Sequence, residues 1–315
     1  MKVLVVGSVG YDDVETPVGT RTSQLGGSVC YFSVAASYFT EVGLIGIVGK
    51  DFLDTDRDLL AAHDIDLSGL EVSDGKTFRW SGSYIKDIND AETVGAELNV
   101  LGDFDPKMTG LHSDVPYLFL ANCDPDTQLS ALDGMSDQLQ LAAGDTMNHW
   151  IAEKPSPLSK LLAQLDVSVI NEGEAKQLTG KSNLVDVAKA IQDLGPRDVI
   201  IKRGEYGAVW FGGDQRFIVP AYPVQNVVDP TGAGDSFAGG FMGYIGATGE
   251  TDAQAFRQAV IAGSVIASFT VEGFGLDRLA NLSAGEIERR FEEFAELTTF
   301  DSTHGLPLRE LQLAN

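Results

Sequence analysis

Asp235 closes the string Asp229-Pro-Thr-Gly-Ala-Gly-Asp235, and an apolar stretch follows it in which Phe237, Phe241, Tyr244 and Ile245 recur at helical spacing, up to Gly246 and Gly249. The spacing predicts a buried helix whose first turn contains Gly232, Ala233 and Gly234. The first turn of a helix presents unpaired N–H groups and the positive end of the helix dipole. Glycines let an anion approach that backbone closely. Asp235 falls in the same turn. An acidic side chain beside an anion cradle is unfavourable unless it has a task, and the simplest task is general base. It would take a proton from a hydroxyl that attacks a bound phosphate. The plainer reading is a glycine-rich helix start with an ordinary first-turn aspartate.

Other polar residues stand where short apolar runs end. Lys2 to Val6 reads as a buried parallel strand leading to Gly7 and Gly10, with Asp12 and Asp13 just beyond. Ligands of open α/β sheets bind beyond the carboxyl ends of the strands, which places Asp12 for ligand hydroxyls; a turn aspartate bonding its own backbone is the alternative. Gly26 and Gly27 open an apolar helix that includes Tyr31 and Phe32, so a ligand can approach that backbone too. Tyr117 to Ala121 is another strand and ends in Asn122-Cys-Asp-Pro. There either Asn122 faces a ligand or Asp124 caps a helix. Leu139 to Asp145 ends in a similar way, before Asn148, His149 and Trp150. Leu165 to Ile170 precedes Asn171-Glu-Gly-Glu174, which by itself is a common helix start with an Asn cap and acidic first-turn residues. Asp198 to Phe211 reads as a hairpin around Gly204 and Gly207, with Lys202 and Arg203 either offsetting phosphate charge or lying on the surface.

The elements that must hold these residues follow a β-α-β rhythm over most of the chain, which predicts a parallel sheet covered by helices. From Ser73 to about Leu101 the texture changes. Thr77 to Ile85 alternates polar with apolar residues and reads as a half-exposed strand, and Glu97 to Leu101 reads as a second. With part of residues 12–24 they would form a small sheet over the site. Phe256 to Phe269 and Ser283 to Thr298 read as helices, the first apolar with small residues, the second charged and amphipathic. The tail beyond Thr298 carries no motif.

Composition removes several classes of function. The 315 residues carry 22 Lys and Arg against 46 Asp and Glu, a net charge of −24, which argues against general nucleic-acid binding. No run of 18 apolar residues occurs, so no membrane span is expected, and the short apolar start lacks the form of a signal peptide. Cys30 and Cys123 are far apart and suit a reducing cytoplasm. Four scattered histidines, His63, His112, His149 and His304, give no metal-site spacing. No G-x-x-x-x-G-K-S/T string is present, and no G-x-G-x-x-G follows a strand, so neither a Walker-type nor a dinucleotide-binding site is indicated.

The string from Asp229 to Phe237 resembles the C-terminal signature of the PfkB (ribokinase-like) family of sugar kinases. Gly26-Gly27 resembles the family's N-terminal signature and Asn171-x-x-Glu174 its N-x-x-E motif, and the three occur in family order. The resemblance implies one ribokinase-like α/β domain over residues 1–315, a central mostly parallel sheet flanked by helices. A small β-sheet lid, approximately residues 12–24 and 73–101, would cover the site and offer a surface for a homodimer. It implies ATP-dependent phosphorylation of a primary hydroxyl on a sugar or sugar-like molecule. Asp235 is then the base and the backbone of Gly232, Ala233 and Gly234 the anion hole. Asp12, Gly26, Gly27, Tyr31 and Asn122 hold the acceptor. Asn171, Glu174, Lys202, Gly204 and Gly207 hold ATP, with Glu174 ordering the waters of Mg²⁺. Asp229 and Thr231 are the candidates for a monovalent cation, K⁺. Tyr31 departs from the family, which commonly has Asn there, and no Arg accompanies Asn148. A nucleoside kinase of the same family is the alternative, with Tyr31, Phe32 and Trp80 as a stacking face for a base. A catalytically silent ligand-binding member is the third reading.

Overall fold

Val3–Val6 (β1) is a run of four apolar residues, all buried, and it forms an interior strand of the main sheet. Alternate side chains of a strand point to opposite faces. Val3 and Val5 accordingly enter one apolar cluster, and Leu4 and Val6 enter another on the far side. A strand buried on both faces needs covering layers on both, which is why helices sandwich this sheet.

In this computed structural model residues 1–299 are described; His304 and the rest of the C-terminal tail lie outside them. After β1 the chain forms β2 (Gly10–Thr16), β3 (Gly19–Gly26), α1 (Ser28–Ser37), β4 (Val42–Val48), α2 (Asp54–Ala62), β5 (Asp66–Val72), β6 (Phe78–Ser83) and β7 (Glu92–Glu97). It continues through β8 (Tyr117–Leu120), α3 (Pro125–Asp133), β9 (Leu141–Gly144), α4 (Asn148–Glu153), α5 (Pro155–Leu162), β10 (Val167–Asn171), α6 (Glu172–Thr179) and α7 (Leu184–Gln192). Then come β11 (Asp198–Lys202), β12 (Ala208–Gly212), β13 (Gln215–Val219), α8 (Ala233–Thr248), α9 (Ala253–Thr270) and α10 (Ala284–Thr298).

The main sheet has nine strands in the order β13-β12-β11-β10-β9-β8-β1-β4-β5. From β11 to β5 all neighbours are parallel, and β12 and β13 add an antiparallel edge. The mostly parallel sheet flanked by helices expected from the sequence is therefore present. Strand order reverses at β1, which pairs with β4 on one side and β8 on the other. Such a reversal opens a crevice at the carboxyl ends of the strands. No helix among the described residues is long and apolar enough to cross a membrane.

A second, four-stranded sheet has the order β3-β2-β6-β7. It springs from the carboxyl end of β1, because β2 begins four residues after β1 ends and β3 leads into α1. One expected strand is displaced. The sequence places it at Glu97 to Leu101, but the strand runs over Glu92–Glu97 and residues Asn99–Asp103 form a 3₁₀ turn. Asn99 adopts a left-handed φ of 49°, and its side-chain amide donates to Thr77 O at 3.0 Å. Val100 is buried in the same apolar cluster as Phe104. The apolar residues there serve the core instead of a strand face.

Candidate active site

The polar residues singled out at strand ends converge on one edge of the main sheet. Asn122 follows β8, Asp145 follows β9, Asn171 ends β10 and Lys202 ends β11. Asp12 lies in β2, just past the end of β1.

Gly232 caps α8 with a left-handed φ of 74° and no side-chain cap. A Cβ at this position would run into the Tyr31 ring, so only glycine fits. The preceding loop is held by Asp229, which is wholly buried. Its Oδ1 accepts from Thr231 N–H at 2.9 Å and its Oδ2 from Gly275 N–H at 3.1 Å. Thr231 Oγ1 donates to Tyr84 Oη at 3.3 Å. Both side chains expected to ligate a monovalent cation are thus engaged within the chain. The loop holds its shape through protein contacts, and K⁺ enters no step below.

The expected anion hole is narrower than Gly232 to Gly234. Ala233 N–H donates to Pro230 O at 3.1 Å, closing a tight turn, so Ala233 offers no amide to a ligand. Among the described residues no protein acceptor takes the N–H of Gly232 or Gly234. Lys202 Nζ stands beside Gly234, where an added Cβ would lie 2.7 Å from it. Two free amides and an ammonium therefore share one corner.

Asp235 sits in the first turn of α8. Burial raises its carboxyl to about 6, while Lys202 and its own backbone N–H pull the other way. A carboxylate with this value is mostly ionised at neutral pH and still basic enough to take a proton. Asp145 is held well above the usual carboxylate range by burial and by Asp235. Its Oδ1 is buried with no partner among the described residues. The sequence reading passed over Asp145, although a carboxylate directly after a buried apolar strand is the same signal that marked Asn122 and Asn171.

Asn171 and Glu174 form a reciprocal cap on α6. Asn171 Oδ1 accepts from Glu174 N–H at 2.8 Å, and Glu174 Oε2 accepts from Asn171 N–H at 3.0 Å. Asn171 also lines the cavity described below. Burial raises Glu174 to about 7, against the opposing pull of Lys202 and the Asn171 N–H. Its second oxygen takes no protein hydrogen bond among the described residues, which fits a carboxylate that binds Mg²⁺ through water. Arg203 leaves the site: its Nε donates to Glu172 at 2.6 Å.

At the other end of the crevice, burial first and then Asp229 and Asp235 raise Asp12 to about 8, opposed by a hydrogen bond from Gly27 N–H. Its carboxyl group lies directly against Gly26, where no side chain would fit. Asn122 Oδ1 accepts from Trp150 Nε1 at 3.0 Å, and Asp124 caps α3 by accepting from Asp126 N–H. Tyr31 does not reach an acceptor pocket. Only 1% of it is exposed, and its ring lies under Gly232. Phe32 is wholly buried, stacked on Phe119 at 4.7 Å. The stacking face expected from Tyr31 and Phe32 does not form, because the first turn of α1 faces α8. Trp80 packs over Gly82 and donates to Thr93 Oγ1 at 3.2 Å.

A cavity of about 560 Å³ opens beside the α8 N-terminus. That volume suits a nucleotide-sized ligand. Asn171, Lys202, Gly204, Gly207 and Gly234 line one part, and Tyr222, Val227 and Ala267 line a more apolar part. The site residues expected at Gly204 and Gly207 thus share a wall with Lys202.

The model of the pfkB family of carbohydrate kinases matches residues 2–279. A cytidine kinase of Thermococcus kodakarensis is 28% identical over 247 residues, which cover 77% of this chain and 87% of that protein. A deoxyribokinase of Salmonella typhi is 38% identical over 115 residues, about a third of each chain: 35% of this one and 36% of the other. Among solved structures, a putative ribokinase II of E. coli in complex with ATP and Mg²⁺ superposes with a TM-score of 0.77 at 21% identity, covering 93% of this chain and 99% of that one. The nucleoside kinase of Methanocaldococcus jannaschii gives a TM-score of 0.74 at 19% identity, again over 93% and 99%.

Proposed function

Because this chain belongs to the pfkB family of carbohydrate kinases, phosphotransferases that act on a hydroxyl group, we propose that it moves the γ-phosphoryl group of ATP to a primary hydroxyl of a sugar or nucleoside. The observation that carries this reading is the start of α8. Two unclaimed amides and a carboxylate raised to about 6 lie at one helix start, with the Lys202 ammonium from β11 beside them. The ATP base lies in the apolar part of the cavity, near Tyr222 and Val227, and the phosphates lie toward Lys202, Gly232 and Gly234. The acceptor rests on Asp12, Gly27 and Asn122. Asp235 takes the proton as the acceptor oxygen bonds to phosphorus and the bond to the ADP oxygen breaks. Gly232 and Gly234 N–H and the Lys202 ammonium stabilise the charge of the transferring group. Glu174 and Asp145 would hold Mg²⁺, which would supply neutralisation of the phosphate charge. A catalytically silent member has no use for a general base at Asp235.

A nucleoside acceptor has two supports of its own. The Thermococcus relative is named a cytidine kinase, and half-buried Trp150 stands beside Asn122 at the acceptor end. In the same reading, the exposed outer strand β7, with Val94 71% exposed, is where a second copy would pair, and two free buried cysteines suit the cytoplasm.

The test is a panel of ribose, deoxyribose, fructose, cytidine, inosine and adenosine with ATP and Mg²⁺, read as phosphorylated product by mass spectrometry. At least one primary alcohol should turn over. Product from nucleosides but not from free sugars selects the nucleoside reading. ATP binding without product from any member of a panel of primary alcohols overturns the proposal.

A further inference from the structure

Residues 84–89 leave the end of β6 and run across to the far side of the nucleotide cavity. At the start of the segment, Tyr84 Oη accepts from Thr231 Oγ1, in the loop before α8. Five residues later, Asn89 meets the turn Gly204–Tyr206 that follows β11. Its Oδ1 accepts from Glu205 N–H at 3.2 Å, and its Nδ2 donates to Glu205 Oε1 at 3.4 Å. Ile88 and Asn89 both line the cavity. The segment therefore touches both walls of the space assigned to the nucleotide.

Two local features show that this contact is built into the fold. Asn89 N–H donates to Asp87 Oδ1 at 2.9 Å, a turn that fixes the backbone from which the Asn89 side chain projects. Gly204 has a left-handed φ of 54°, and a Cβ there would run into the Asn89 amide. A glycine is needed at 204 both for the turn and for the approach of Asn89. The next residue, Asp90, adds to the rise of the Glu174 carboxyl, so the loop also faces the phosphate end.

We propose that Asn89 is a positioning residue that clasps the small sheet to the nucleotide-side turn, so that filling the cavity with nucleoside triphosphate and closing the small sheet over the acceptor become one coupled event. This rests on the kinase reading above. A nucleotide touching Ile88 and Asn89 on one wall and Lys202 and Gly204 on the other orders both walls at once. Such a differential contact is what couples two sites, and the coupling is reciprocal: bound acceptor tightens nucleotide by the factor by which nucleotide tightens acceptor. The closed sheet also keeps water from the triphosphate.

Hydrogen exchange of the full chain with the non-hydrolysable analogue AMP-PNP and Mg²⁺, without acceptor, tests the clasp. In the wild type, nucleotide should slow exchange at residues 84–91 and 203–207 together. In Asn89→Ala it should slow exchange at 203–207 only, and the KM for ATP should rise by about three- to tenfold with a smaller change in kcat, the size expected for one or two hydrogen bonds. Glu205→Gln, which keeps an acceptor for Nδ2, should retain protection of the loop. Glu205→Ala, which keeps only the backbone bond, should give an intermediate loss and serves as the second variant if Asn89→Ala folds poorly. Protection of 84–91 that survives in Asn89→Ala, or a wild-type loop that stays unprotected while AMP-PNP binds, overturns the clasp alone. A wild type that binds no AMP-PNP removes the kinase reading and the clasp together.

Discussion

Helices α6 and α8 both begin at the same cavity, and they cap their first turns differently. At α6, Asn171 and Glu174 close a reciprocal cap, so two N–H groups of the helix start, those of Asn171 and Glu174, are taken by its own side chains. At α8 the cap is Gly232, in a left-handed conformation with no side chain, and the N–H groups of Gly232 and Gly234 stay unclaimed by the described residues. Both helices carry a first-turn carboxylate with a raised pKa, about 7 for Glu174 and about 6 for Asp235. The difference lies in what each carboxylate faces. Glu174 spends one oxygen on its own helix, whereas Asp235 stands next to amides left open for an anion. A helix start left uncapped beside a cavity points to a ligand, and a capped one can serve only through the atoms its cap leaves over.

The strongest challenge to this contrast is Asp235→Asn. It keeps the shape of the α8 start and removes the base, so kcat should fall by about 10²–10⁴-fold while nucleotide binding by titration calorimetry stays close to wild type. A retained rate would remove Asp235 from the proton transfer. Next in size is a pair of changes at α6. Glu174→Gln keeps an oxygen to accept from Asn171 N–H, so the melting temperature should hold, while the Mg²⁺ concentration for half-maximal rate should rise by about tenfold or more. Asn171→Ala removes the cap and should cost about 1 kcal/mol in denaturant unfolding. If Glu174→Gln changes only stability, the carboxylate is a cap and nothing else.

The smallest effect concerns pH. Asp12 is raised to about 8, above the ordinary aspartate value, so the fold favours its protonated form. The stability tied to that proton is fully present below the ordinary aspartate pKa and is lost as pH rises through about 8. Asp12→Asn should therefore raise the melting temperature relative to wild type at pH 8.5, with the difference shrinking toward pH 5, while acceptor KM increases. Asp235, at about 6, sets a different limb. The base must be ionised, so kcat should drop as pH falls below about 6 in the wild type and in Asp12→Asn alike. Scanning fluorimetry and initial rates from pH 5 to 9 separate the two groups. A melting difference that does not vary with pH would remove Asp12 from this account.

Much of the site was legible in the chain. The β-α-β rhythm, the polar residues that end apolar runs and the glycine string before Asp235 are local patterns, and a local pattern survives folding. Three parts were not legible. Tyr31 is buried under Gly232 because α1 packs on α8, about 200 residues further along the chain. Ala233 loses its amide to Pro230, which depends on the loop shape that Asp229 imposes through Gly275. Asn89 meets Glu205 across a sequence separation of 116 residues, with no signal in either segment that the other exists.

The sequence by itself determined most of the strands, the order of the motifs, the family and the identity of the carboxylate at the head of α8, because each is written in the spacing of neighbouring residues. The tertiary structure alone decided which amides stay open, which aromatic residues are buried and which loop closes the nucleotide cavity. An N–H group is free or taken only relative to the acceptor that folding brings beside it, and those acceptors come from remote parts of the chain as well as from adjacent residues.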